Sequence, residues 1–268
     1  MVTNAVENDE GVPSDAEMSI TELKASNASL LRSNNELLQY AHVASHDLQE
    51  PLRKIEMFAS VLRSRKELAD PEQEVVEKIQ RASNRMRLLI TDLLEYAKVA
   101  KSDKMFRPVD LNGLVAQLLD DFELLISEKQ ASVTVGNLPE VNAAALEMNQ
   151  LFYNLINNAL KFSDPSRKPE ISITAKKLDD AAIKTQIHEP KTGSTYYDIA
   201  VSDNGIGFDT KYAEQIFLIF KKLHAKEIYP GSGIGLSICR SIAANHEGAI
   251  FVESKPGEGS TFHIIIPQ

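Results

Sequence analysis

The sequence predicts an α plus α/β protein: a helical hairpin forming a dimeric four-helix bundle with an N-terminal coiled coil, followed by an α/β sandwich. Three observations predict it. Apolar residues recur with a heptad period from Ile20 onward. Two long apolar stripes flank the break "ELADPEQE". After "AKSDKMFRPVD" the period changes, and short strand-like runs alternate with helical stretches.

Composition bounds the function. The chain has 268 residues, room for about two domains. Its net charge of −9 argues against a nucleic-acid surface, which needs a basic field. The single cysteine, Cys239, cannot form an internal disulfide, so a reducing, cytoplasmic setting is expected, though a parent protein could be membrane-linked. No apolar run approaches the roughly 18 residues of a membrane span, and no signal peptide opens the chain. Residues 1–18 read as a disordered lead, polar and broken by Gly11 and Pro13.

The helical half follows. Ile20, Asn27, Asn34, Ala41 and Leu48 occupy one heptad position; Leu23, Leu30, Leu37 and Ala44 occupy the other. Asparagine at such positions fixes register and favours two strands. The stripe continues through Leu52, Ile55, Ala59 and Leu62. Asp70 is the expected N-cap of a second helix, with Pro71 at its first position and Gln73 completing a capping box. That helix carries Val75, Ile79, Ala82, Met86, Leu89, Leu93 and Tyr96 on one seam. One hairpin with two narrow seams has too little core; two hairpins make a four-helix bundle, hence a homodimer.

In the second half a helix is expected over about Leu111 to Glu128, and others over Ala143–Phe162 and Gly235–Asn245. Strands are expected at "SVTV", "ISITAKKL", "YYDIAVSD", "AIFVES" and "TFHIIIP". The polar "DDAAIKTQIHEPKTGST" reads as an exposed loop or loose hairpin.

Chemistry concentrates at three places. In "YAHVASHDLQEPLRKI", His46 points away from the core direction set by Leu48, at about 100° per residue, and shares a face with His42 and Glu50. Asp47 can hydrogen-bond one ring nitrogen and leave the other nucleophilic. Pro51 removes a bond to the Asp47 carbonyl and is expected to bend the helix. A solvated surface histidine fits the same pattern, and a histidine pair could bind metal, although no third ligand is suggested. In "NQLFYNLINNALKFS", Gln150, Asn154, Asn158 and Lys161 form a polar stripe opposite Phe152, Leu155, Ala159 and Phe162. Amide oxygens suit Mg²⁺ and lysine suits phosphate, while an ordinary amphipathic helix looks alike. "VSDNGIGFD" places Asp203 at a strand end with Gly205 and Gly207 after it, and "PGSGIGLSICRSI" runs Gly231, Gly233 and Gly235 into a helix that can receive phosphate. The alternative is two plain turns. Between them lies a stretch long enough for a lid, with Phe217 and Phe220 as latches or as core.

In order, "SHDLQEP", "NLINNALKF", "DNGIGF", "IFLIFKKLH" and "GSGIGLSI" match the H, N, G1, F and G2 boxes, and with the closing "GEGSTF" the set resembles the sensor histidine kinases of two-component signalling, most of all those of phytochrome and PAS-sensor type. The resemblance implies a coiled-coil signalling helix over residues 19–45. It implies a dimerisation and histidine-phosphotransfer hairpin over 40–101 and a GHKL-type ATP-binding domain over 107–268. By position His46 matches the phosphoacceptor and Asp47 its acidic helper. Asn158 matches the Mg²⁺ ligand, with Asn154 and Lys161 as phosphate-side neighbours. Asp203 matches the aspartate that recognises the adenine amino group, beside Gly205 and Gly207. Gly231, Gly233 and Gly235 match the triphosphate glycines, and Phe220 and Leu236 join the ATP-binding set. ATP, Mg²⁺ and a response-regulator receiver domain are the implied partners, with no sensor domain expected in this chain. Glu50 departs from the pattern. Many members carry Thr or Asn there to position water for dephosphorylation, and a carboxylate cannot donate that hydrogen bond. A conformational ATPase of the same superfamily and a non-catalytic dimeric scaffold are the competing classes.

Overall fold

The computed structural model describes residues 48–64, 70–101, 105–187, 190–191, 193–223 and 231–268. The coiled coil, His42, His46 and Asp47 lie outside them, as does the Asp47 carbonyl on which the bend at Pro51 was argued. Helix α1 (residues 48–63) already includes Pro51. It runs antiparallel to α2 (Asp70–Lys101). The helix begins at Asp70 itself, one residue earlier than an N-cap role for Asp70 requires.

Polar side chains clasp the hairpin. Gln80 bonds Ser60 at 3.2 Å and accepts from Arg63 at 3.2 Å, and Arg87 pairs with Glu56 at 3.5 Å. Only part of the expected seam is buried between α1 and α2. Leu52 and Ala59 are covered, whereas Ile55, Leu62, Val75, Ile79 and Met86 are exposed along one copy, and Val76, outside the expected seam, is buried in place of Val75. Each apolar side chain left in water forgoes about 1.5–3 kcal/mol of burial, and among the described residues this face lacks a cover.

The second module is a five-stranded mixed sheet with three helices on one face and a short helix on the other. Strands β2 (Ser132–Val135), β4 (Glu170–Lys177), β5 (Tyr196–Asp203), β6 (Ala249–Lys255) and β7 (Gly259–Pro267) lie in the order β2-β4-β5-β7-β6. The β2–β4 pair is parallel and the others antiparallel. Alternation sends Ile171, Ile173, Ile199, Val201, Phe262 and Ile264 into the core. There they meet α3 (Leu111–Asp121), α5 (Ala145–Lys161) and α7 (Gly235–Asn245), through residues such as Val115, Phe152, Leu155 and Ile242. Cys239 of α7 is fully covered, and burial pushes its thiol up to about 12.

Three local details depart from the sequence reading. The helix expected to run to Glu128 breaks at Phe122, and α4 (Glu123–Lys129) continues it. A small antiparallel sheet of β1 (Arg107–Asp110) and β3 (Glu140–Ala143), which the sequence reading did not include, precedes α5, and the helix expected from Ala143 begins at Ala145. The polar excursion is in part a helix, α6 (Asp180–Gln186), rather than a loop or hairpin. Asp179 caps it by accepting from the Ala182 amide, and Ile183 and Ile187 pack on Tyr196 and Ile265. A short polar helix on a two-residue apolar anchor has almost no periodic signal to read.

Candidate nucleotide-binding site

α5 supplies one wall of a cavity of about 480 Å³. Its buried face locks it onto the sheet, so Gln150, Asn154, Asn158 and Lys161 turn together toward the opening. Asn157 and Tyr153 lie on the same wall. Asn154 Nδ2 donates to the Gly235 carbonyl at 3.3 Å, which ties this wall to the first turn of α7. The N-cap of α7, Ile234, gives that turn no side-chain hydrogen bond.

Asp203 closes the far end, at the last position of β5. Its Oδ1 accepts from the Gly205 amide at 2.8 Å. Burial pushes its carboxyl up to about 6, against hydrogen bonds from the Gly205 and Ser260 backbone and the nearby Arg167 charge. Asn204 fixes the loop by donating to the Lys168 carbonyl and accepting from the Glu170 amide. Arg167 donates to the Gly205 and Gly257 carbonyls at 2.7 and 2.8 Å, binding this loop to the β6–β7 turn. Gly207 has φ +56°, and a Cβ there would collide with the Lys255 carbonyl.

Gly231, Gly233, Gly235 and Leu236 line the remaining side. A Cβ on Gly231 would stand 2.7 Å from Lys161 Nζ. Lys222, which the sequence reading did not single out, also lines the cavity and donates to the Gly231 carbonyl. Burial and the charge of Lys222 push the Lys161 amine down, while Asp92 pushes it up. Two expected residues stand outside the wall. Gly205 packs against the Phe162 carbonyl behind the loop, and the Phe220 side chain is exposed on a backbone with φ +65°. Phe217, the other latch candidate, is core.

The described residues hold no cluster of three or more His, Cys, Asp or Glu suited to a metal ion. The wall offers the amides of Asn154, Asn157 and Asn158 instead. Neutral oxygen ligands fit a divalent cation that a triphosphate also holds.

Comparison with known proteins agrees with this geometry. Residues 36–101 match the family model of the His Kinase A (phospho-acceptor) domain, and residues 143–268 that of the histidine kinase-, DNA gyrase B-, and HSP90-like ATPase. The chain belongs to the sensor histidine kinases. This kinase core is 37% identical over 240 residues to the phytochrome-like protein Cph1 of Synechocystis sp., covering 89% of the chain and 30% of that relative. It is 30% identical over 252 residues to the adaptive-response sensory kinase SasA of Prochlorococcus marinus subsp. pastoris, covering 89% of the chain and 62% of that relative. The chain thus spans under a third of the phytochrome relative. Among solved structures, full-length ShkA in complex with AMPPNP matches with a TM-score of 0.61 at 23% identity, over 85% of this chain and 45% of that one. ThkA in complex with the response regulator protein TrrA matches with 0.58 at 21%, over 90% and 66%. Both likenesses are of fold. No helix among the described residues is long and apolar enough to cross a membrane.

Proposed function

We propose that this kinase core uses Mg–ATP to phosphorylate His46 and passes the phosphoryl group to an aspartate of a response-regulator receiver domain. The observation that carries this reading is one cavity joining the α5 amides, Lys161, Asp203 and the glycine turns, in a chain that also has a phospho-acceptor hairpin. Asp203, as carboxylate, accepts from the exocyclic amine of adenine. Lys161 and Lys222 receive phosphate oxygens, and the first turn of α7 adds backbone N–H groups. Asn158 would hold Mg²⁺, with Asn154 beside it; the ion, when bound, offsets triphosphate charge. The His46 imidazole, oriented by Asp47, attacks the γ-phosphorus in line as ADP leaves. Catalysis is then positioning and charge neutralisation.

A homodimer fits the exposed face of Ile55, Leu62, Val75, Ile79 and Met86. A receiver partner is supported by the fold shared with ThkA, whose structure contains the response regulator protein TrrA. Glu50 pairs with Lys54 at 2.8 Å on the exposed face of α1, and an ionised carboxylate has no proton to donate to an attacking water. Dephosphorylation of the regulator is therefore expected to be weak.

The test is incubation with γ-labelled ATP of wild type, His46→Gln and Asn158→Ala. Acid-labile, base-stable label on wild type alone is expected. Label that survives in His46→Gln would remove His46 as the phosphoacceptor, and ATP hydrolysis with no label at all would replace the kinase reading with a conformational ATPase.

A further inference from the structure

Two side chains of the cavity wall come from the hairpin. Leu88 and Asp92 come from α2, one turn apart on a single helix face. The hairpin helix is anchored where it meets the ATPase module: Leu93 and Tyr96, the next residues of its seam, pack against that module's core. Asp92 is thereby fixed in the wall that Lys161 and Lys222 also line. Those lysines are the cations best suited to receive phosphates. Crowding them in a half-buried place disfavours the charge on Lys161, and Asp92 offsets part of that penalty. A negative group from the hairpin thus acts where the negative groups of a nucleotide would arrive.

We infer that Asp92 is a stand-in anion for the phosphate subsite, so that seating of α2 and binding of a nucleoside triphosphate oppose each other. This rests on reading the cavity as the nucleotide site. With α2 seated, the incoming triphosphate meets a Lys161 charge that Asp92 already offsets in part, and a carboxylate of its own sign. Relief comes when α2 withdraws. Thermodynamic linkage makes the effect mutual: whatever affinity the seated helix removes from the nucleotide, the nucleotide removes from the seat. The opposition scales with phosphate charge, so it is strongest for ATP, weaker for ADP and absent for adenosine. A carboxylate recruited as a metal ligand would act with the opposite sign.

The experiment is calorimetric titration of the full chain, wild type and Asp92→Asn, with ATP–Mg²⁺, ADP–Mg²⁺ and adenosine. The isosteric amide keeps the packing, and unchanged adenosine affinity reports an intact site. Asp92→Asn is expected to tighten ATP by about fivefold or more, ADP by less and adenosine not at all. Hydrogen exchange supplies a second reading: ATP should speed exchange across the C-terminal turns of α2 in wild type, and less in the variant. ATP affinity equal to wild type overturns the proposal. Weaker ATP binding also overturns it and makes Asp92 a metal ligand. A wild type that binds none of the three removes the nucleotide-site reading itself, a result distinct from the other two.

Discussion

Asp203 joins burial to chemistry in one side chain. Its carboxyl is held up at about 6, yet adenine recognition needs the ionised, acceptor form. The sign follows directly. Above pH 6 the group is a carboxylate before ligand arrives, and below it a proton must leave first. Affinity for ADP should therefore be flat above about pH 7 and fall by up to about tenfold per unit below pH 6. Titration calorimetry between pH 5 and 8 checks this, and Asp203→Asn should bind weakly with no such bend. Asp203 was legible because an acidic residue ending a strand before Asn-Gly is a local signature. The same holds for the polar stripe of α5, whose members the structure brings into one wall. Lys222 and Asp92 were not legible. Their places depend on the path of the segment after Phe217 and on where the hairpin rests, and neither leaves a periodic trace. Phe220 shows the converse: it matched a box by order, yet its exposed side chain stands outside the cavity.

At the scale of elements, the regular pieces were readable and the short ones were not. All five strands of the main sheet carried alternation or β-branched runs, and α7 spans the expected Gly235–Asn245. The β1–β3 pair has four residues a side, too few to display a period, and α6 hides in a polar stretch. Loops, by contrast, declare themselves through glycine. The turn after β5 rests on the β6–β7 turn with no space between their backbones at Gly207. Gly207→Ala combines a positive φ with a collision against fixed carbonyl oxygen. It should cost about 1–3 kcal/mol in denaturant unfolding and weaken ADP binding with it. Gly257→Ala, also at positive φ but with nothing near its missing Cβ, should cost about 1–2 kcal/mol and leave ADP binding nearly intact.

For the whole molecule, the decisive quantity is apolar surface without a partner. The heptad and its continuation pointed to two hairpins, and the structure of one copy leaves Ile55, Val75, Ile79 and Met86 in water. Ile79→Asp places a charge in that face. It should shift the chain from dimer to monomer in light scattering at micromolar concentration and leave ADP affinity within about twofold, since the residue is remote from the cavity wall. A variant that stays dimeric would show that the face is covered by something other than a second hairpin.

The chain's lone sulfhydryl, shut inside α7 with its proton held on to about pH 12, has a practical corollary. Alkylating and spin-labelling reagents need an accessible thiolate, and here they meet neither access nor anion. The native chain is a blank canvas for such chemistry. Cysteines introduced one on each module would report their separation by spin–spin or dye–dye coupling, with no need to mutate the natural thiol first.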